Sequence, residues 1–440
     1  TLSGDSTVGS ISPLQVNPGT WSSSPATTAS SFSYAWYQCS SEISSVPSAV
    51  PNGCAVISGA SSQSYFPVDA NAGKFILSKV TASVRSNLST DAPIVIYTRS
   101  SVAVKNRPQI TANPTVSGTA HLGSTLQYAA GTATGNESPL NTYQWWNCTS
   151  SVTAGTTDVS GSCSIIDGAT SSTYVITSGD VGKRMLVVMT ATNNQGSASK
   201  SSVTTSVVTA SPSLVTAPVI SGTTLYTAGS KLSVDKGTWS GNPAPSVGTY
   251  SYTWYKCSSS SNAGSSLPAG CSVVQAAGTS NTFALASSVF GSHIVAKVTV
   301  STVTNLTATD SATTYSASFG PITSAPINTA APTISGILKS GQTVTAGMGS
   351  WSGFPTNYSY TYRWYVCAST ATAATQPADC TVQAMYDSVA LVIPSTAVGK
   401  KLLLAVTATN SSGSATKTAI TSVNVATAAS INPLFLRAIL

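Results

Sequence analysis

Four stretches decide the fold: Trp36-Tyr37-Gln38-Cys39, Trp145-Trp146-Asn147-Cys148, Trp254-Tyr255-Lys256-Cys257 and Trp364-Tyr365-Val366-Cys367. The tryptophans stand 109, 109 and 110 residues apart. Each Cys is followed 13 to 15 positions later by one more: Cys54, Cys163, Cys271 and Cys380. A period of that length is a whole domain rather than a solenoid turn. Ahead of the Trp the aromatics alternate. Phe32, Tyr34 and Trp36 share one face, as do Tyr250, Tyr252 and Trp254, and Tyr358, Tyr360, Tyr362 and Trp364. Period two with aromatic residues marks a strand.

Outward from these strands the copies keep one order. Val116-Ser117-Gly118, Ile220-Ser221-Gly222 and Ile334-Ser335-Gly336 precede a short alternating run. A turn follows at Gly19-Thr20-Trp21, Gly237-Thr238-Trp239 and Gly349-Ser350-Trp351; the second copy has Ala133 where the others have this Trp. Beyond the second Cys come a short strand at 164–166, a turn at Gly168-Ala169-Thr170 and a strand at 173–176. Val181-Gly182-Lys183 and Val398-Gly399-Lys400 then open long apolar strands, at 185–191 and 402–408. About seven short strands per copy, with no sustained helical period, predict an all-β chain: a tandem array of four β-sandwich domains. Their expected bounds are 1–106, 107–211, 212–325 and 326–429, with an apolar tail at 430–440. Linkers are expected near 105–114, 209–219 and 321–333, where Pro108, Pro114, Pro212, Pro218, Pro321, Pro326 and Pro332 favour extended, semi-rigid chain.

Composition excludes several function classes. Charged residues make up only 7% of the 440, against about 25% in an ordinary globular protein. The net charge of +7 is spread thinly, and nucleic-acid binding needs a clustered basic footprint. No run of about 18 apolar residues is present to span a bilayer. Eight cysteines, two per copy, read as four disulfides and hence as export to an oxidising compartment; free core thiols are the alternative. An exported chain beginning Thr1-Leu2-Ser3-Gly4 has lost its signal, or carries it outside these residues. Only two Glu (Glu42, Glu137) and two His (His121, His293) occur, and none recurs at an equivalent position. No phosphate loop or dinucleotide fingerprint is present. We expect no enzyme activity, no catalytic or metal site and no cofactor.

The stretches 237–241, 254–257 with Cys271, 168–170, 180–182 and 406–410 (Gly-Thr-Trp-Ser-Gly, Trp-x-x-Cys, Gly-Ala-Thr, Asp-Val-Gly, Val-Thr-Ala-Thr-Asn) resemble the immunoglobulin-like repeats of secreted bacterial cell-surface proteins. The resemblance implies immunoglobulin-like sandwiches, an extracellular or cell-surface location, and roles as stalks, adhesins or assembly modules. The chain departs from antibody domains in one respect. Each first Cys lies three residues after its Trp, so it points to the opposite face of the strand. With Trp36, Trp145, Trp254 and Trp364 in the cores, Cys39, Cys148, Cys257 and Cys367 face outward. They are expected to clamp to Cys54, Cys163, Cys271 and Cys380 on the next strand, a closure worth roughly 3 kcal/mol for a loop of about 15 residues. Tyr37, Trp146, Tyr255 and Tyr365 share the outward face, as a cover for the cystine or as a platform for sugar stacking.

The expected function is that of a secreted structural protein, the subunit of an extracellular filament, sheath or surface layer. The first copy shows little of the strand that opens the others, and the tail carries the apolar residues Leu434, Phe435, Leu436, Ile439 and Leu440. Donor-strand pairing of the tail with the first domain of the next subunit would give a head-to-tail homopolymer; the alternatives are a tail packed on the fourth domain or the start of a fifth repeat. The competing expectation is an adhesin or carbohydrate-binding stalk for surface glycans, with Trp145-Trp146 as its aromatic site.

Overall fold

Strict alternation puts each Trp-containing motif strand at the centre of a four-stranded antiparallel sheet. The computed structural model describes residues 1–21, 31–83, 92–246, 249–305, 310–372, 378, 380–382 and 388–428. In the first sheet the order is Cys54–Val56, Ser31–Cys39, Phe75–Ser83, Ile94–Tyr97. The second runs Cys163–Ile165, Leu140–Cys148, Arg184–Asn193, Gly196–Ser201. The third is Cys271–Gly278, Tyr250–Cys257, His293–Thr302, Asp310–Tyr315, and the fourth Thr381–Val382, Ser359–Cys367, Lys401–Asn410, Gly413–Ile420.

A three-stranded sheet accompanies each: Leu2–Ser3, Leu14–Val16 and Ser64–Tyr65 in the first copy, and Thr115–Ser117, Thr125–Ala129 and Thr173–Val175 in the second. The third copy has Val219–Ser221, Lys231–Asp235 and Thr282–Ala284; the fourth has Thr333–Gly336, Thr343–Gly347 and Ala390–Val392. Three strands against four is the two-layer arrangement of an immunoglobulin-like sandwich. The chain is all-β, and among the described residues a four-stranded and a three-stranded sheet of this kind recur four times along the sequence. By contact it divides into two compact units, Thr1–Ala210 with Thr304–Ala308, and Ser211–Val303 with Thr309–Leu440.

The alternation also fixes the cores. Trp36, Trp145, Trp254 and Trp364 are fully buried, each between its two sheets. Trp145 packs with Leu126, Ile176, Met185 and Val187, and Trp254 with Leu232, Phe283, Ile294 and Val298. Three of the four indoles also bond a carbonyl on the opposite side of the core: Trp36 to Ser62 (2.8 Å), Trp145 to Ser171 (2.9 Å) and Trp364 to Ser388 (3.0 Å). The Trp254 Nε1 has no partner. In the third copy the strand after the second Cys runs on to Gly278, with two register shifts, instead of stopping after three residues as in the second.

The turn Trp is equally local. Trp21, Trp239 and Trp351 each donate from Nε1 to the carbonyl three residues earlier, at Pro18, Lys236 and Met348. Gly237 supports this turn with φ +73°, and a Cβ there would collide with the Thr216 carbonyl.

The Pro-bearing stretches are not free spacers. The strand Gln109–Ala112 pairs with Thr132–Thr134, Ala210–Thr216 with Thr238–Asn242, and Thr323–Ala330 with Ser350–Phe354. Pro114 follows the first of these strands, Pro212 lies within the second, and Pro326 sits at a register shift in the third. These are the places where a residue without an N–H is tolerated. The proline content of these stretches did not reveal the partner strands that they pair with.

Candidate functional surface: the cystine-capped sheet face

Each disulfide joins neighbours of one sheet. Cys39 lies directly opposite Cys54, Cys148 opposite Cys163 and Cys257 opposite Cys271, with Cα–Cα separations of 3.9, 3.9 and 4.0 Å. Cys367 joins Cys380 at 4.5 Å.

The expectation that these cysteines face outward needs correction. They lie on the face away from the Trp, yet Cys39, Cys148, Cys257 and Cys367 are 0–2% exposed. A second, smaller apolar cluster covers them in every copy. Cys39 packs with Leu77, Tyr97, Tyr37 and Ile43. Cys148 packs with Val152, Val159, Leu186 and Trp146, Cys257 with Tyr255, Val295, Leu267 and Tyr315, and Cys367 with Ala371, Leu403, Tyr365 and Ile420. The cover comes from the loop between the two cysteines. It crosses the sheet face and bonds the chain at the far edge: Val152 with Thr204 and Gly155 with Ser201 in the second copy, Ser261 with Ser318 and Gly264 with Tyr315 in the third. In the first copy it reaches Ser100 through Ile43.

Tyr37, Trp146, Tyr255 and Tyr365 therefore sit inside this cover. Tyr255 is buried, the other three are half-buried, and the Trp146 Nε1 is shielded from solvent without a partner. Trp145 is in the core, so the Trp145-Trp146 pair presents no exposed double ring.

Sequence reasoning missed a polar pair beneath the three-stranded sheet. Tyr174 donates from its hydroxyl to Asp180 Oδ2 (2.7 Å), which also accepts from Thr177 N–H (3.0 Å) and Thr177 Oγ1 (2.8 Å); Asn147 Nδ2 donates to Oδ1 (3.3 Å). In the first copy Tyr65 bonds Asn71 Oδ1 (2.6 Å) at the same place. The third and fourth copies have Phe283 with Val289 and Leu391 with Ala397, all buried. Strand register makes these positions equivalent: Tyr65, Tyr174, Phe283 and Leu391 face Leu14, Leu126, Leu232 and Val344. Where the ring has a hydroxyl, its partner six residues on is Asn or Asp. Where the hydroxyl is absent, so is the partner, because a buried polar group must be bonded. That covariation between copies was legible in the repeat.

Burial pushes the Asp180 carboxyl up, but bonds from Thr177, Tyr174 and Asn147 outweigh it and hold the group below the usual carboxylate range. Burial, then the bond to Asp180, pushes Tyr174 up to about 12. A depressed folded pKa means that Asp180 stabilises the fold above its unfolded value, and that this stabilisation is lost as pH falls through the folded value. Asp180→Asn copies the first unit's arrangement, and is expected to flatten the loss of stability below about pH 4 at little cost near neutrality. Asp180→Ala strands the Tyr174 hydroxyl and should cost about 2–3 kcal/mol, part of it recovered in Asp180→Ala/Tyr174→Phe. Thermal unfolding of the three variants across pH 3–7 checks the series. An unchanged acid limb in Asp180→Asn would show that another group sets it.

Elsewhere the surface is held by hydroxyl pairs across strands, such as Thr216 with Thr238 (2.7 Å), Ser221 with Ser233 (2.8 Å), Ser335 with Thr345 (2.8 Å) and Thr407 with Thr416 (2.7 Å). Among the described residues one ion pair is formed, Lys105–Glu137 at 2.8 Å. No group of three His, Cys, Asp or Glu converges to hold a metal among them. His121 bonds Thr209 and has no counterpart in the other copies. No helix among the described residues is long and apolar enough to cross a membrane. The tail residues Leu434, Phe435, Leu436, Ile439 and Leu440 lie outside the described residues.

No family model matches the chain, and no curated protein matches it. Solved structures similar to it include the FN1–FN3 domains of chicken CNTN1 (15% identity, 72% of this chain, 98% of that one, TM-score 0.19). The D1–D4 ectodomain fragment of ICAM-5 is similar at 11% identity over 89% of this chain and 95% of that one, with TM-score 0.29. The N-terminal eight Ig domains of the Down Syndrome Cell Adhesion Molecule match at 15% identity over 98% of this chain and 49% of that one, with TM-score 0.26.

Proposed function

We propose that this chain is a non-enzymatic structural protein of an extracellular surface, of the kind formed by bacterial immunoglobulin-like repeats: the subunit of a filament, sheath or surface layer. Its working parts are four sandwich domains at 1–106, 107–211, 212–325 and 326–429. One observation carries the reading. What recurs at equivalent positions in all four copies is a core Trp, a cross-strand cystine and the apolar cover of that cystine. Groups able to do chemistry change from copy to copy. His121 and His293 are unmatched, and Asp180 is replaced by Asn71, Val289 and Ala397. A structural array repeats its scaffold, and in this chain the scaffold is what repeats.

The disulfides resist local opening, and hydroxyl pairs in place of charges leave little repulsion between copies. Assembly is head-to-tail, with the apolar segment 430–440 of one copy adding a strand to the next. Electron microscopy of the full chain and of a chain ending at residue 429 tests it. Polymers in the first and none in the second are expected. Single particles in both would overturn assembly through this segment.

A further inference from the structure

The sheet edge of the first copy differs from the other three. The strand Ile94–Tyr97 carries no charge, whereas Gly196–Ser201, Asp310–Tyr315 and Gly413–Ile420 carry Lys200, Asp310 and Lys417. Charges on an edge strand oppose pairing with another sheet. Ile94, Val95 and Ile96 are 50%, 39% and 47% exposed. In register, Tyr97 corresponds to Ser201 and Tyr315, facing Lys79, Val188 and Lys297. The backbone of Ser201 and of Tyr315 is bonded on its free side by the cystine loop. Among the described residues no such bond is made at Tyr97. Thr98 N–H donates inward to the Ser78 carbonyl (2.9 Å). By strand alternation the N–H and C=O of Val95 and Tyr97 therefore point away from the sheet.

We propose that two copies of this chain pair through Ile94–Tyr97, antiparallel, about a two-fold axis at Val95. The occupant is a second copy because the segment is complementary to itself. Ile94-Val95-Ile96 reads the same in both directions, so each Ile94 meets Ile96 of the other copy at a position where side chains approach closely. Val95 meets Val95 and exchanges two N–H···O bonds. Pro93, exposed and without an N–H, falls opposite Tyr97: its carbonyl accepts from the Tyr97 N–H, and the Tyr97 carbonyl is left to solvent at the end of the pairing. No charge lies between residues 92 and 98, so no like charges meet. The segment 430–440 fits less well, because Pro433 and Arg437 break it into apolar runs of three residues, 434–436 and 438–440. A two-fold contact closes on itself, unlike the head-to-tail contact. It adds a lateral interface to the filament or layer reading, and rests on that reading only for its biological use.

Sedimentation velocity at micromolar concentration tests it on the full chain and on the chain ending at residue 429. A dimer is expected of the chain ending at residue 429, and dimers together with the head-to-tail polymers of the full chain. Ile94→Lys/Ile96→Lys sets like charges opposite each other and should weaken the dimer at least about tenfold. Ile94→Glu/Ile96→Lys has as many charges but sets each Glu against a Lys of the other copy, and should restore it. A wild-type monomer, a dimer indifferent to the lysines or failure of the opposite-charge variant to restore it would overturn the proposal. Loss of the dimer on removing 430–440 would assign the strand to that segment instead. Polymers lost with the tail while the dimer persists separate this contact from the head-to-tail one. Without any variant, amide exchange at Val95 and Tyr97 should slow with rising concentration while that at Ser197 and Ser199 does not; equal behaviour also overturns it.

Discussion

Trp145→Ala is expected to cost the second copy about 3–5 kcal/mol, the range for emptying a buried aromatic site. A domain has only about 5–15 kcal/mol of stability in total, so this substitution brings the sandwich close to unfolding. The core around Trp145 is built from both sheets, with Leu126 and Ile176 on one side and Met185 and Val187 on the other. A milder pair of variants separates volume from hydrogen bonding. Trp145→Phe also strands the Ser171 carbonyl, whereas Trp254→Phe removes a donor that is already without a partner. Trp254→Phe should therefore be the less costly by about 1–2 kcal/mol. Calorimetry on the three variants, with amide exchange in Leu140–Cys148 and Tyr250–Cys257, reads both effects. Equal losses for the two Trp→Phe changes would refute the hydrogen-bond account.

The faces of the motif strands were legible because alternation is geometric. Phe32, Tyr34 and Trp36 had to share a side, and Cys39 had to lie on the other. What covers that other side was not legible. The covering loops have unrelated sequences, residues 40–53 in one copy and 149–162 in the next. They contribute single apolar residues at irregular positions: Ile43, Val152 with Val159, Leu267 and Ala371. Parity says which way a side chain points; only the path of the loop says whether water is there.

Two other features were missed for different reasons. The Tyr174–Asp180 pair was hidden because each residue alone looks ordinary, and only the matched loss of both in Phe283–Val289 shows that they depend on each other. The strands at 109–112, 210–216 and 323–330 read as spacers in the sequence because proline lowers strand propensity. Tertiary pairing with 132–134, 238–242 and 350–354 overrides that preference wherever the missing N–H needs no partner.

Cys148→Ala/Cys163→Ala is expected to remove about 3 kcal/mol, the chain-entropy value for closing a loop of this length. Where the loss is felt matters more than its size. An inter-sheet bridge through a core would, on removal, release both layers together. Here the bridge joins adjacent strands and fixes the ends of a loop that shields Trp146, Leu186 and the sheet edge at Ser201. Its removal should free the amides of Gly155, Ser201 and Thr204 and expose residues 149–162 to proteolysis first. Val187, whose N–H is bonded to the Ser202 hydroxyl in the interior, should keep most of its protection. Exchange that rises equally at Val187 and at Gly155 would mean that the cystine holds the whole sandwich rather than its cover. The same contrast should appear in the third copy with Cys257→Ala/Cys271→Ala, because its loop is anchored in the same way at Gly264 and Ser261. It should be smaller in the first copy, where among the described residues the loop is anchored only between Ile43 and Ser100 and less of the edge depends on it. A graded response of this kind follows from the bonds that the loop makes, since the closed loops are nearly equal, 15, 15 and 14 residues.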